Sequence, residues 1–222
     1  MSAFRAILAK DLRVELRTLQ SVPAMALFAM SAFVLFRFGL DRERLEGSLA
    51  AGVILATVLF AAILAINRLF VAEREEGGFD AIRLAPVDPA ALYAAKAVAL
   101  VTYLAVLELL ALPAFAFLFL DHWEGLPALA AVLLVADIGL AAVGVLVSAI
   151  GVNSRARELV VPLLLLPLAV PVMIASAGAA EPLLAAGGPS YGNAGKWLAM
   201  LALYDAVFLA IGYAVYDFVL ED

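Results

Sequence analysis

The sequence predicts an all-α integral membrane protein with an N-terminal interfacial helix followed by six transmembrane helices. Of the 222 residues, 66% are hydrophobic, whereas an ordinary soluble domain has roughly 45–50% apolar residues. The mean hydropathy is +1.08. The apolar residues form runs near the roughly 20 residues that a helix needs to cross about 30 Å of hydrocarbon. We therefore expect residues 1–222 to form a single transmembrane domain.

The first element, residues 3–19, is predicted to be an amphipathic helix that lies in the membrane interface. Apolar side chains fall on one arc at helical spacing, and the bases Lys10 and Arg13 lie on the opposite face. Asp11 and Glu15 lie inside the apolar arc, one turn apart. They either extend to the membrane interface or face another segment of protein.

Six apolar segments are predicted to span the membrane. They cover residues 22–40, 49–71, 92–120, 126–151, 159–178 and 197–219. The segment 179–195, which is rich in Gly, Ala and Pro, is predicted to be an irregular external loop or a partly re-entrant one.

The distribution of lysine and arginine predicts that both termini are cytoplasmic, because short cytoplasmic loops carry an excess of these bases. With the N-terminus inside, ten of the 14 bases are cytoplasmic and four are external. The four external bases are Arg37, Arg42, Arg44 and Lys196. The connection between spans two and three is then cytoplasmic.

That connection, residues 73–89, is the densest run of charge in the chain. Gly77-Gly78 interrupts any helix that continues from the second span, because glycine loses the most backbone entropy on ordering. Residues 79–84 are long enough for about two helical turns, and Pro86 and Pro89 end them. We predict a short helix held at the cytoplasmic membrane surface.

This loop resembles the cytoplasmic loop of ABC type-2 exporter permeases, in which a coupling helix docks on an ATPase subunit. The resemblance implies that residues 1–222 form one transmembrane permease domain and that residues 3–19 form its elbow helix. The run from Asn67 to Val87, with Ala95-Lys96 after it, is similar to heme exporter protein B, the CcmB family of cytochrome c maturation. The fifth-span run Leu166-Pro167-Leu168-Ala169-Val170-Pro171 resembles the same family. The resemblance assigns ATPase coupling to Arg74, Glu75, Glu76, Gly77, Gly78, Phe79, Asp80, Leu84, Pro86 and Val87.

The resemblance implies a membrane subunit of an ABC-type complex for heme export or heme-chaperone release in c-type cytochrome biogenesis. It implies three protein partners besides the lipid bilayer: a cytoplasmic ATPase, a heme-handling membrane subunit and a small membrane subunit. Heme is the possible cargo, and ATP binds the partner ATPase, so the chain itself is not expected to be an enzyme. The implied location is the cell inner (plasma) membrane.

No catalytic, metal or nucleic-acid site is expected. The chain has no cysteine, one histidine and no phosphate loop of the form G-x-x-x-x-G-K-[ST]. The net charge of −6 disfavours nucleic acid. His122, in a short outer loop beside Trp123, is expected to be an interface residue rather than a required heme ligand.

Three acidic residues lie inside predicted spans, where a bare charge costs at least about 2.5–3.5 kcal/mol. Glu108 and Asp137 are on antiparallel neighbouring spans, so their carboxyls can approach each other. They either fix packing as protonated or hydrogen-bonded groups, or form a proton relay or a polar seam at a gate. Asp205 is closer to the outer face, and we expect it to be hydrated.

Span five contains Pro162, Pro167 and Pro171, which are expected to kink the helix. The backbone carbonyls that such kinks free need partners in neighbouring helices, hydroxyls or water.

Two other functions remain open at this point. An ABC type-2 permease for a lipid, glycan or drug would share the loop but not the proline-rich fifth span. An ion-coupled carrier would use Glu108 and Asp137, and would depend on a proton gradient rather than on an ATPase.

Overall fold

The computed structural model describes residues 3–40, 42–70, 88–151, 154, 156–192 and 194–221. The described residues are mainly α-helical and contain no strand, which confirms the predicted fold class. The helices are α1 (Ala3–Thr18), α2 (Ser21–Gly39), α3 (Gly47–Arg68), α4 (Pro89–Phe119), α5 (Leu126–Gly151), α6 (Arg157–Ala180) and α7 (Ala194–Glu221), and a 3-10 helix (Glu181–Leu184) follows α6.

Six of these helices, α2 to α7, are long and apolar enough to cross a membrane. Their bounds differ from the predicted spans by at most three residues at either end. Local signals account for two of the boundaries. Helix α1 ends at Thr18, because Leu19 has a φ of 47° in the left-handed region. Helix α4 begins at Pro89, where the Asp88 side chain accepts a 3.1 Å hydrogen bond from the Ala90 amide.

Helix α5 lies at the centre of the bundle. It packs against α4, α6 and α7, while α3 packs against α2 and α6, and α1 lies along α4. Helices α3 and α5 are the most buried spans, whereas α2 and α7 are the least buried. Large apolar side chains on the outward faces, such as Leu109, Phe117 and Leu163, are exposed. Such a surface suits lipid acyl chains rather than water.

Two glycines let helices approach each other closely. A Cβ at Gly139 of α5 would collide with the Asp205 carboxyl of α7, and a Cβ at Gly212 of α7 would collide with the Tyr93 ring of α4. The Tyr93 hydroxyl also donates to the Ala142 carbonyl at 3.0 Å. Small residues at helix contacts favour close packing in membranes, and here they bring α4, α5 and α7 together.

Helix α6 runs without interruption through Pro162, Pro167 and Pro171. The expected kinks at these prolines stay a prediction. One carbonyl on the turn before Pro171, that of Leu168, accepts a hydrogen bond from the Tyr204 hydroxyl of α7. A hydroxyl from a neighbouring helix is one of the partners that proline-containing spans need.

The segment predicted to be an irregular or re-entrant loop begins with the 3-10 helix. This helix packs on α3 and buries Leu183 and Leu184. The Ser190 amide then donates to the Pro182 carbonyl at 2.9 Å, which folds the segment back on itself. The described part of this segment therefore packs against the bundle through the 3-10 helix.

Candidate functional site

The residues predicted to couple to an ATPase lie outside the described residues, so their arrangement stays a prediction. They are Arg74, Glu75, Glu76, Gly77, Gly78, Phe79, Asp80, Leu84, Pro86 and Val87. The structure does describe the two residues that flank residues 71–87, which are Phe70 after α3 and Asp88 before α4. We call this end of the bundle the loop end.

Lys96 is the centre of a buried group of residues at the loop end. It lies about two turns into α4, and it is 1% exposed. Its Nζ is 3.1 Å from Asp11 Oδ2 of α1 and 3.1 Å from the carbonyl oxygen of Leu69, which follows the last residue of α3. The same ammonium lies 4.9 Å from the centroid of the Phe70 ring. One cation therefore contacts α1, the end of α3 and the residue next to the loop.

Asp11 is buried, and two lysines neutralise it. Its Oδ1 lies 3.0 Å from Lys10 Nζ. Its Oδ2 forms an ion pair with Lys96 that lacks the angles of a hydrogen bond. The Tyr103 hydroxyl, two turns further along α4, donates to the Asp11 carbonyl at 3.2 Å. Because a buried carboxylate is costly without a cation, these contacts explain how Asp11 is accommodated inside an apolar arc. We call Asp11, Leu69, Phe70, Lys96 and Tyr103 the Lys96 cluster.

Glu15 connects α1 to the start of α2. Its Oε1 accepts hydrogen bonds from the Ser21 and Val22 amides, both at 2.9 Å. The amides of a first helical turn have no intrahelical partner and favour a negative charge, so Glu15 stabilises the start of α2. Of the two interpretations of Asp11 and Glu15, the structure supports the one in which both face protein.

Two more contacts hold the end of α3. Arg68 Nη1 donates to the Gln20 carbonyl at 2.6 Å, in the turn between α1 and α2, and Ser148 of α5 donates to the Ile66 carbonyl at 3.0 Å. The last carbonyls of a helix lack intrahelical donors and attract cations. The point at which the chain leaves α3 for residues 71–87 is thus held from several sides.

The second polar site lies in the middle of the bundle. The Glu108 and Asp137 carboxyls are neighbours in the bundle, as expected for antiparallel spans. Asp137 is 0% exposed, and neither of its oxygens accepts a hydrogen bond from a donor group of the described residues. A carboxylate is only an acceptor, so a hydrogen bond between these groups requires a proton on one of them.

Asp205 differs from its prediction. We expected a hydrated side chain, but Asp205 is 5% exposed and lies against Gly139. The missing side chain of Gly139 makes the space into which the carboxyl fits. Asp205 contacts α5 two residues along the helix from Asp137, which is a rotation of about 200°. The two carboxyls therefore lie on different faces of α5.

Sequence reasoning missed the link between Lys96 and Asp11. The sequence indicates only that Lys96 is a cytoplasmic base and that it belongs to the run that resembles the family. A usable signal was present, because Lys96 lies four residues inside the predicted span 92–120 and Asp11 lies inside an apolar arc. Two opposite charges in apolar settings are candidates for pairing.

The connection between α4 and α5 contains His122, which is exposed. Its neighbour Asp121 forms an ion pair with Arg44, with 2.9 Å between Oδ1 and Nε. The Arg44 guanidinium also donates to the Leu120 carbonyl at 3.1 Å. These contacts hold the residues that precede His122, and the role of His122 itself stays a prediction.

The fold and these two sites define a multi-pass α-helical membrane protein whose second and third spans are joined to an N-terminal helix at the loop end. A family model described as CcmB protein matches residues 2–217, nearly the whole chain. The chain therefore belongs to the CcmB family (heme exporter protein B), a membrane component of the heme exporter for cytochrome c maturation. No curated protein matches the chain at a significant level. The family and the six apolar helices indicate the inner membrane.

Proposed function

We propose that the chain is the permease subunit that couples ATP hydrolysis on a separate ABC ATPase to heme export or to release of a heme-loaded chaperone. The family match supports the process, and the Lys96 cluster is the observation that carries the coupling role. A loop that transmits the motion of a partner protein requires the helix ends on either side of it to move together. Buried ionic and hydrogen-bonded contacts join both ends of residues 71–87 to the bundle.

In this mechanism the ATPase binds the short helix predicted within residues 73–89. Nucleotide-driven motion of the ATPase displaces that helix, and its two ends transfer the displacement to α3 and α4. ATP binds only the partner, and heme is cargo rather than a resident cofactor. A heme-handling membrane subunit and a small membrane subunit complete the proposed complex.

The mechanism requires the loop end and both termini to be cytoplasmic. The chain has no native cysteine, so single cysteines can be introduced at Ser2, Gly77, Asp222 and the exposed Glu124. We expect an impermeant thiol reagent to label only the Glu124 variant in intact cells. Labelling at Asp222 without labelling at Glu124 would contradict this topology.

Docking is tested by Phe79→Asp combined with Leu84→Asp. Aspartates buried at a protein contact are unpaired charges that cost several kcal/mol, so ATPase co-purification should be lost while membrane insertion persists. Ala186→Asp with Ser190→Asp is the matched control, because both residues are exposed beyond α6. We expect the control to co-purify the ATPase normally. An intact complex with both loop aspartates would place docking elsewhere.

One observation favours a second candidate, an ion-coupled carrier. The Glu108–Asp137 pair holds acidic groups in the middle of the bundle, where a proton can bind. This candidate predicts that a protonophore stops function without any ATPase in the complex. The coupling proposal predicts that function requires the ATPase and tolerates collapse of the proton gradient while ATP is maintained.

A further inference from the structure

We propose that Lys96 is a positioning residue that joins the residues before the loop, Leu69 and Phe70, to α1. Helix α1 then moves together with the loop when the ATPase displaces it. This inference rests on the proposed coupling function and adds to it a route into the bundle. The route runs from residues 71–87 through Lys96 and Asp11 to α1, and from α1 through Glu15 to α2.

The first step is geometric. Lys96 belongs to α4, which begins directly after the loop, and its ammonium contacts Leu69 and Phe70, which directly precede the loop. Lys96 therefore joins the residues before the loop to the second turn of the helix that follows it. A relative movement of the end of α3 and the first turns of α4 would separate the ammonium from the Leu69 carbonyl, so these two helix ends are expected to move as one unit.

The second step extends the unit to α1. The ammonium that contacts Leu69 also pairs with Asp11 at 3.1 Å, and Tyr103 of α4 holds the Asp11 carbonyl. These contacts lie on one face of α4, because positions 96 and 103 are seven residues apart, or about two turns. Asp11 is buried, so water does not compete strongly for the ion pair.

The third step carries the movement to α2. Glu15 is one turn from Asp11 on α1, and it holds the Ser21 and Val22 amides of α2 at 2.9 Å. Helix α2 is among the least buried spans, whereas α3 and α5 are the most buried. A displacement that reaches α2 therefore disturbs fewer internal contacts than one imposed on α3 or α5.

Assembly with the ATPase does not distinguish an ion pair that only stabilises the fold from one that positions α1. Replacing both members of a buried ion pair by uncharged residues is often neutral for stability, while removing one member is strongly destabilising. The variant Asp11→Asn/Lys96→Met removes both charges. It should assemble with the ATPase in normal yield if Lys96 only stabilises the fold, and equally if Lys96 positions α1. The two roles differ only in whether α1 follows the loop.

The experiment measures that movement in the complete complex with the ATPase. Spin labels are attached to Arg13→Cys on α1 and Ile150→Cys on α5, both at exposed positions, in a chain that has no native cysteine. The distance between the labels is recorded without nucleotide and after trapping with ATP and vanadate. We expect trapping to shift the distance in the otherwise unaltered chain, and the Asp11→Asn/Lys96→Met background to lose most of that shift.

The matched control is Ser148→Ala. Ser148 also holds the end of α3, because its hydroxyl donates to the Ile66 carbonyl rather than to a group of α1. We expect this variant to retain the shift, which separates loss of the α1 link from general loosening of the loop end. Loss of the shift in Ser148→Ala to the same extent would contradict a specific role of Lys96.

The outcomes distinguish this inference from the proposed function. If no ATPase co-purifies with the unaltered chain, the coupling function is wrong and the inference falls with it. If the ATPase co-purifies but the double variant keeps the full shift, only the role of Lys96 is wrong. A complex whose label distance does not change on trapping also overturns the inference, because α1 then does not move.

Discussion

Helix α4 carries a buried lysine and a buried glutamate, which the fold treats in opposite ways. At the loop end, Lys96 faces the opposite charge of Asp11. In the middle of the bundle, Glu108 faces another acid, Asp137. The two positions are twelve residues apart, or about 18 Å along the helix. The difference shows that burial alone does not define a role, because the neighbouring charge decides what a buried group can do.

The charge of the Lys96 cluster is balanced by protein groups. The Lys96 cation has the Asp11 carboxylate and the Leu69 carbonyl as partners, so the geometry of the cluster does not depend on a proton from outside. The Glu108–Asp137 pair needs at least one proton to form a hydrogen bond. The loop end is therefore suited to a fixed mechanical connection, and the central pair is suited to binding a proton.

The largest expected effect is that of Lys96→Met. It removes the buried cation and leaves Asp11 paired with Lys10. Loss of one member of a buried ion pair costs about 3–5 kcal/mol, and we expect a value toward the lower end because Lys10 stays. Thermal unfolding in detergent measures the loss, and Asp11→Asn/Lys96→Met should recover most of it. A Lys96→Met protein as stable as the parent would show that the ion pair does not hold the loop end.

A smaller effect is expected at Asp205, because its carboxyl fits into the space left by the absent side chain of Gly139 rather than against an opposite charge. A Cβ at Gly139 would collide with the Asp205 carboxyl and press on Val172. Overpacking of this kind costs about 1–3 kcal/mol, so Gly139→Ala should lower the unfolding temperature.

The matched variant for this second case is Gly139→Ala/Asp205→Ala, in which the carboxyl is removed to make room. We expect it to be more stable than Gly139→Ala alone. Equal unfolding temperatures for the two variants would mean that the strain arises at another neighbour, such as Val172.

The sequence was sufficient for the fold class because length and apolar composition determine it. Runs of about 20 apolar residues predict membrane helices whatever their neighbours are. The boundaries were less accurate because they depend on local groups. Helix α4, for example, begins three residues before the predicted span because Asp88 and Pro89 form its N-terminal cap.

The sites were predicted less completely because they depend on which helices are neighbours. Antiparallel order was enough to bring Glu108 near Asp137. Asp11 and Lys96, however, are 85 residues apart in the sequence, and only the packing of α1 along α4 brings them together. The burial of Asp205 depends on Gly139 of another helix, so its position along the span alone suggested hydration.

The smallest expected effect is that of Glu108→Gln. The amide can donate a hydrogen bond to Asp137 without the added proton that a carboxyl pair needs. The change of one hydrogen-bonding group for another of similar shape should alter the free energy of unfolding by no more than about 1 kcal/mol. Lys96→Leu, on the same helix, is the contrasting variant and should be clearly less stable. Similar losses in the two variants would remove the distinction between the loop end and the central pair. A stable Glu108→Gln protein that loses cytochrome c maturation while its ATPase stays bound would instead show that the central proton is needed for function.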